Sequence, residues 1–192
     1  MARLCEGRVA IVTGAGRGLG REHALLLAAH GAKVVVNDVG AGTDGTGRDE
    51  SHAAITAADI RNAGGEAEVN GDDVSSWDGA KNMIEQAVRS YGKLDILVNN
   101  AGILRDRMLV NMSVDEWDDV MRVHLRGMFC PIRRAVDHWR AMSKAGTPTA
   151  ARIVTTSSGA GLFGSVSQAN YSAAKAGIAS FTIVAAAELG RY

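Results

Sequence analysis

The sequence predicts an α/β fold, a doubly wound parallel sheet with helices on both faces, in one domain over residues 1–192. Three observations predict it. Five short runs rich in Val or Ile alternate with longer amphipathic stretches, the pattern of repeated strand–helix–strand units. Runs that are apolar at consecutive positions suit strands covered on both faces, as in a parallel sheet. The chain of 192 residues, 46% hydrophobic and 22% charged, has the size and balance of one globular domain that can bury a core.

In chain order, the strand candidates are Val9–Thr13, Lys33–Asp38, Glu66–Asn70, Ile96–Asn99 and Arg152–Thr156, each fenced by glycine or polar residues. The helical stretches between and after them are Leu19–His30, Ser51–Ala63, Ser76–Tyr91, Val114–Met142 and Tyr171–Leu189. Gly31 ends the first helix, and Gly64 with Gly65 ends the second. Ser113 and Glu116 have capping-box spacing at the start of the fourth stretch. Pro131 lies deep in that stretch and predicts a kink or division there. Gly40–Gly47 reads as a flexible surface loop, long for a strand-to-helix connection. A sheet of this kind continues with further strands after the helix of Tyr171, so the C-terminal strands read as missing from residues 1–192.

Composition narrows the partners. Formal net charge is zero, which gives no sign of a nucleic-acid or anionic-membrane partner. Cys5 and Cys130 form no spacing pattern and read as reduced thiols, with no metal site. The first residues do not form a signal peptide, and no apolar stretch is read as long enough to cross a bilayer. The last three residues, Gly190, Arg191 and Tyr192, are not a sorting tripeptide, so the expected address is cytoplasmic.

The chemistry begins where the first strand runs into Thr13, Gly14, Ala15, Gly16, Arg17, Gly18, Leu19 and Gly20, with a helix starting at once. Glycines in that order let the backbone turn tightly and approach a pyrophosphate at the positive end of a helix, as in a Rossmann fold. Asp38 ends the second strand about 20 residues further on, where a carboxylate accepts hydrogen bonds from an adenosine ribose and repels a 2′-phosphate. That favours NAD. Arg17 nearby pulls the other way, since a guanidinium suits a phosphate.

Tyr171 and Lys175 stand four residues apart at the start of a helix and share a face. A close ammonium favours a phenolate, which makes proton exchange with a substrate hydroxyl feasible. Ser158, just past the fifth strand, is placed to hydrogen-bond the substrate oxygen.

Together these motifs resemble the short-chain dehydrogenases/reductases of the classical type, over essentially the whole chain. Thr13–Gly20 is similar to the family's Thr-Gly-x-x-x-Gly-x-Gly loop, and Asn99, Asn100, Ala101 and Gly102 to its Asn-Asn-Ala-Gly segment. Asp73 and Val74 resemble the pair that packs on the adenine ring. The resemblance implies an oxidoreductase with Ser158, Tyr171 and Lys175 as catalytic residues, Lys175 also holding the nicotinamide ribose. It implies cofactor contacts at Gly14, Gly16, Arg17, Gly18, Leu19, Gly20, Asp38, Asp73, Val74, Asn100, Ala101, Gly102, Tyr171 and Lys175.

Val35–Asp38, Asn99–Arg107, Val123–Gly127 and Gln168–Lys175 carry a narrower resemblance. They are similar to the (3R)-hydroxyacyl-CoA dehydrogenase units of peroxisomal multifunctional enzymes type 2 and their bacterial relatives, which implies an acyl-CoA substrate. Arg105 and Arg107 then either meet an anionic CoA or belong to a solvated loop. His124 stands where the wider family places a catalytic asparagine, and reads either as a member of the proton relay or as a packing histidine. Family analogy implies a homodimer or homotetramer through the Val114–Met142 and Tyr171–Leu189 helices. Two other readings remain beside a hydroxyacyl-CoA dehydrogenase. One is a carrier-protein reductase or a steroid or sugar alcohol dehydrogenase; the other is an NAD-binding redox sensor without turnover.

Overall fold

The computed structural model describes residues 3–49, 51–147 and 149–190. Its elements are β1 (Val9–Thr13), α1 (Gly18–Ala29), β2 (Lys33–Asn37), α2 (Ser51–Asn62), β3 (Glu66–Asn70), α3 (Trp77–Tyr91), β4 (Ile96–Asn99), α4 (Val114–Met121), α5 (Gly127–Lys144), β5 (Arg152–Thr155), α6 (Gly159–Phe163) and α7 (Ala169–Leu189). The strands form one parallel sheet in the order β3-β2-β1-β4-β5. This is the doubly wound arrangement, and its switch point lies between β1 and β4.

Alternate residues of the central strands face two separate cores. Val9, Ile11, Val35 and Leu97 pack with Met83 and Ile84 of α3, Ile132 and Trp139 of α5, and Ile178 of α7. Ala10, Val12, Val34, Val36 and Val98 pack with Ala24 and Ala28 of α1 and Ala53, Ala57 and Ile60 of α2. The second layer is built from alanines, so α1 and α2 lie close against the sheet. Burial of all of β1 and β4, and of β2 after Lys33, agrees with their unbroken apolar runs. The third and fifth strands depart from that expectation: Glu66 and Glu68 of β3 and Arg152 and Val154 of β5 are exposed.

Three local features differ from the sequence reading or sharpen it. The capping box forms as expected: Glu116 N–H donates to Ser113 Oγ at 3.1 Å, and Ser113 N–H to Glu116 Oε2 at 2.9 Å. The division predicted at Pro131 lies upstream instead, where Arg122–Arg126 form a π-helical turn between α4 and α5. The Gly127 N–H there reaches back five residues to Arg122 O. Pro131 itself lies buried inside α5 and only withholds an N–H from the Gly127 carbonyl. The helix α7, finally, has the length and apolar composition to cross a bilayer, contrary to the reading of the sequence. Single polar residues such as Lys175 and Thr182 disguise the run, while its alanines set the average hydropathy. Its Asn170 and Lys175 are nevertheless buried within the protein.

Candidate active site

Polar residues collect at the C-terminal ends of the strands, which is where a doubly wound sheet builds its sites. Thr13 Oγ1 accepts the N–H groups of Asn100 and Ala101, at 3.0 and 3.1 Å, and donates to Val98 O at 3.4 Å. The Asn100 amide in turn donates to the carbonyls of Thr13 and Gly14 at 3.1 and 3.2 Å. These bonds hold the end of β1 against the segment after β4. A side chain at Gly14 would come within 2.8 Å of Ala101 Cα, so only glycine permits this approach.

Between them opens a cavity of about 390 Å³, lined in part by Gly14, Arg17, Asp38, Asp73, Val74, Asn100, Ala101 and Gly102. Each of these was expected to touch a cofactor. The other glycine-loop residues act behind the wall. Gly20 packs against the Gly14 carbonyl, and Gly16 leaves room for Asp38, whose Oδ2 a Cβ there would approach to 2.9 Å. Leu19 is exposed and Gly18 has open space around it, and neither lines the cavity.

Asp38 accepts Gly16 N–H through Oδ2 at 2.9 Å and Gly40 N–H through Oδ1 at 2.7 Å. A carboxylate has about four acceptor positions, so this one is fixed in place and still able to receive ribose hydroxyls. Arg17 donates to the Ala41 carbonyl. No side chain caps the first turn of α1, which leaves its amides facing the glycine turn for a pyrophosphate. A dinucleotide fits these residues.

The segment expected to be a flexible surface loop is hydrogen-bonded along its length and roofs the cavity. Thr46 N–H donates to Asp44 Oδ1 at 3.0 Å, Asp49 N–H to Gly40 O at 2.9 Å, and Leu104 N–H to Thr43 O at 2.8 Å. The last bond joins the roof to the segment after β4.

The second cluster lies on α7. Lys175 is 4% exposed, donates to Thr156 O at 2.6 Å, and stands with Nζ 5.4 Å from the Tyr171 ring centroid. Burial away from water pushes its ammonium down to about 8. Ser158 ends the chain's exit from β5, and its Oγ accepts Ala160 N–H at 3.2 Å to start α6. The turn it opens is packed on α7: Ser157 Oγ donates to Lys175 O at 2.9 Å, and a side chain at Gly161 would come within 2.6 Å of the Lys175 carbonyl carbon. Ser158, Tyr171 and Lys175 therefore belong to two adjoining elements, as the resemblance requires.

His124 comes from the π-helical turn and is buried against the same group. Its Nε2 lies 2.8 Å from Ile103 O and 3.1 Å from Ile103 N, and its ring stands edge-on to Tyr171. Desolvation, and then the Lys175 charge, push the imidazole down to about 4, so it is neutral near pH 7. Its Nδ1 and both polar side-chain atoms of Asn99 have no hydrogen-bond partner among the described residues. With Lys175 and Thr156 they line a second, small cavity of about 10 Å³ beneath the first. Of the two readings of His124, the geometry shows the packing one: its ring is buried against Tyr171 and held by the Ile103 backbone. Arg105 and Arg107 are already paired, with Asp119 at 3.3 Å and with Glu116 at 2.9 Å, which favours the solvated-loop reading over a CoA contact.

Sequence reasoning passed over Thr13, Thr156 and Asn170 as individual site residues. Thr13 and Thr156 had a signal, since each ends a strand beside a motif. Asn170 had none beyond standing next to Tyr171.

The family model for short chain dehydrogenases matches residues 8–192. The chain belongs to the short-chain dehydrogenase family. It is 53% identical over 190 residues to the hydroxyacyl-CoA dehydrogenase ChsB1 of Mycobacterium tuberculosis, covering 97% of this chain and 58% of that protein. It is 49% identical over 173 residues to the peroxisomal multifunctional enzyme type 2 of Drosophila melanogaster, covering 90% of this chain and 27% of that one. The crystal structure of a short chain dehydrogenase from Mycobacterium avium matches with a TM-score of 0.93 and 56% identity, over 98% of this chain and 67% of that chain. The chain thus spans between about a quarter and two thirds of the length of these relatives. As a family member, it presents the glycine loop and the Ser158, Tyr171 and Lys175 set at the C-terminal ends of its strands.

Proposed function

We propose that this protein interconverts a secondary alcohol and a ketone with NAD, and that its substrates are a (3R)-hydroxyacyl-CoA and the corresponding 3-oxoacyl-CoA. The observation that carries the reading is the buried Lys175 ammonium beside the Tyr171 ring, next to the turn of Ser158. A cation removed from water costs free energy, and a family site is where such a cost serves chemistry.

In the oxidation, Tyr171 in its phenolate form takes the proton of the substrate hydroxyl and becomes the phenol, and in the reduction the phenol returns that proton to the substrate oxygen. Ser158 Oγ hydrogen-bonds the substrate oxygen and stabilises the charge that develops there. Lys175 supplies positive charge to this oxygen pair and, by resemblance, holds the nicotinamide ribose. Bound nicotinamide supplies the hydride acceptor or donor for the carbinol carbon. Asp38, pinned by Gly16 and Gly40, supports NAD over NADP. The names of the two relatives above support an acyl-CoA substrate. Exposed Phe129 of α5 and Ile183 and Val184 of α7 support a homodimer or homotetramer built on these helices.

The test is absorbance at 340 nm with NAD or NADP and a (3R)-hydroxyacyl-CoA. Turnover with NAD well above that with NADP is the expected result. Turnover confined to steroids or carrier-protein thioesters would replace the substrate class, and NAD binding without turnover on any secondary alcohol would overturn the catalytic reading.

A further inference from the structure

Asn170 is fully buried, and it spends its side chain on three different segments. Its Oδ1 accepts the backbone N–H of Tyr171 at 2.7 Å. Its Nδ2 donates to Arg105 O at 3.1 Å, in the segment after β4, and to Glu116 O at 3.0 Å, in the first turn of α4. An amide offers two donors and an acceptor, and all are in use here. No shorter or longer side chain of another chemistry places the same set.

The neighbouring residues hold the segment after β4 as well. Arg107 N–H donates to Ser167 O at 2.7 Å, and Gln168 Nε2 to Asp106 Oδ2 at 2.9 Å. Ser167 has φ +66°, and among the described residues it alone, glycines aside, has positive φ. Such a conformation persists only where the surroundings hold it. The segment after β4 also carries Ile103, whose backbone holds the His124 ring against Tyr171. One stretch of chain therefore fixes Tyr171 twice, through its backbone by Asn170 and through its ring by His124. The same stretch, at Ala101–Ile103, lines the cofactor cavity.

We infer that Asn170 is a positioning residue for catalysis, locking the start of α7 to the floor of the cofactor cavity so that the Tyr171 hydroxyl is held at a fixed place over the substrate site. The inference rests on the reading of Tyr171 as the proton-transferring group. Asn170 is fully buried and does not line the cofactor cavity, so its loss acts on the chemical step and not on NAD affinity. A displacement of about 1 Å at a reacting group costs up to about a hundredfold in rate.

The experiment compares Asn170→Ala, Asn170→Asp and Tyr171→Phe with the unaltered protein, measuring NAD binding by fluorescence titration and kcat per NAD-binding site. The Asp variant has the same shape and keeps the acceptor for Tyr171, but loses both donors, so it reads the amide alone even where Ala weakens folding. Expected is a kcat at least about tenfold lower per NAD-binding site in both Asn170 variants, with NAD affinity and KM for NAD within about twofold. Normalising to bound NAD removes any loss of folded protein, which a merely structural role would produce. Full kcat per site in either Asn170 variant, with Tyr171→Phe inactive, overturns the role of Asn170 and leaves Tyr171 standing. Turnover retained by Tyr171→Phe overturns the role of Tyr171 and this inference with it.

Discussion

The ring of His124 stands edge-on to that of Tyr171, with centroids 5.3 Å apart and planes 89° to each other. An aromatic edge is the positive side of the ring and a face the negative side, so this contact is attractive as well as space-filling. It orients a side chain with only one polar atom, and it does so with a histidine that is itself held by the Ile103 backbone.

The geometry makes the phenol hydroxyl replaceable without loss of shape. Tyr171→Phe keeps the ring against His124 and should lower turnover by about 10²–10⁴-fold, the range for removing a general acid–base group. NAD binding should remain near that of the unaltered protein, measured by fluorescence titration. Turnover above a tenth of normal would count against Tyr171.

Acid should weaken the protein through His124. The unfolded imidazole binds a proton below about pH 6.5, while the folded one, held down to about 4, stays neutral until lower pH. Between those values the unfolded chain binds more protons, so stability falls as pH drops through the window. The loss for a shift of this size is on the order of 3 kcal/mol by pH 4. Urea unfolding at pH 7 and pH 4.5 should show a steeper decline for the natural protein than for His124→Asn. Equal slopes would mean that the imidazole is solvated.

Lys175 has the opposite balance of stability and use. Its ammonium is lowered to about 8 by burial, so at neutral pH it is charged at a cost. Between about pH 8 and 10.5 the unfolded chain holds the proton that the folded chain has lost, and this group's contribution to stability rises with pH there. Lys175→Met, of similar volume, should leave the thermal midpoint at pH 7 unchanged or higher while lowering turnover by at least about a hundredfold. In the natural protein, kcat should fall as pH rises through about 8. A strong drop in the melting temperature of the variant would argue that the Thr156 bond outweighs desolvation.

Cofactor choice should respond to one charge. Asp38→Asn removes the charge that opposes a 2′-phosphate, with Arg17 left nearby, and should reduce the preference for NAD over NADP by about tenfold or more. The comparison is of kcat/KM for the two cofactors. An unchanged ratio would move selection to Arg17 or Arg48, both in the same cavity wall.

Much of this was legible because the relevant physics is local. Consecutive Val and Ile in β1, β2 and β4 announce strands covered on both faces, and the Ser113 and Glu116 spacing announces a helix start. Tyr171 and Lys175 were placed together by helical geometry alone. What stayed hidden depends on distant partners. The three bonds of Asn170 include two to residues 54 and 65 positions away. The roof over the cavity depends on Thr43 meeting Leu104, and a run of glycines and threonines reads locally as a loose loop.

The π-helical turn at Arg122–Arg126 constrains how this chain can vary. Each α-helical residue advances the helix by about 100°. The extra residue accommodated there is absorbed within the turn, so α5 keeps its angular phase, with His124 turned towards α7 while Ile132, Val136 and Trp139 face the sheet. Losing one residue from the turn would close it to an ordinary α-helical turn and leave that apolar stripe on the core, whereas losing one between Gly127 and Ile132 would swing the stripe off it by about 100°. The residue that a loss within the turn would displace is His124, which the turn itself carries.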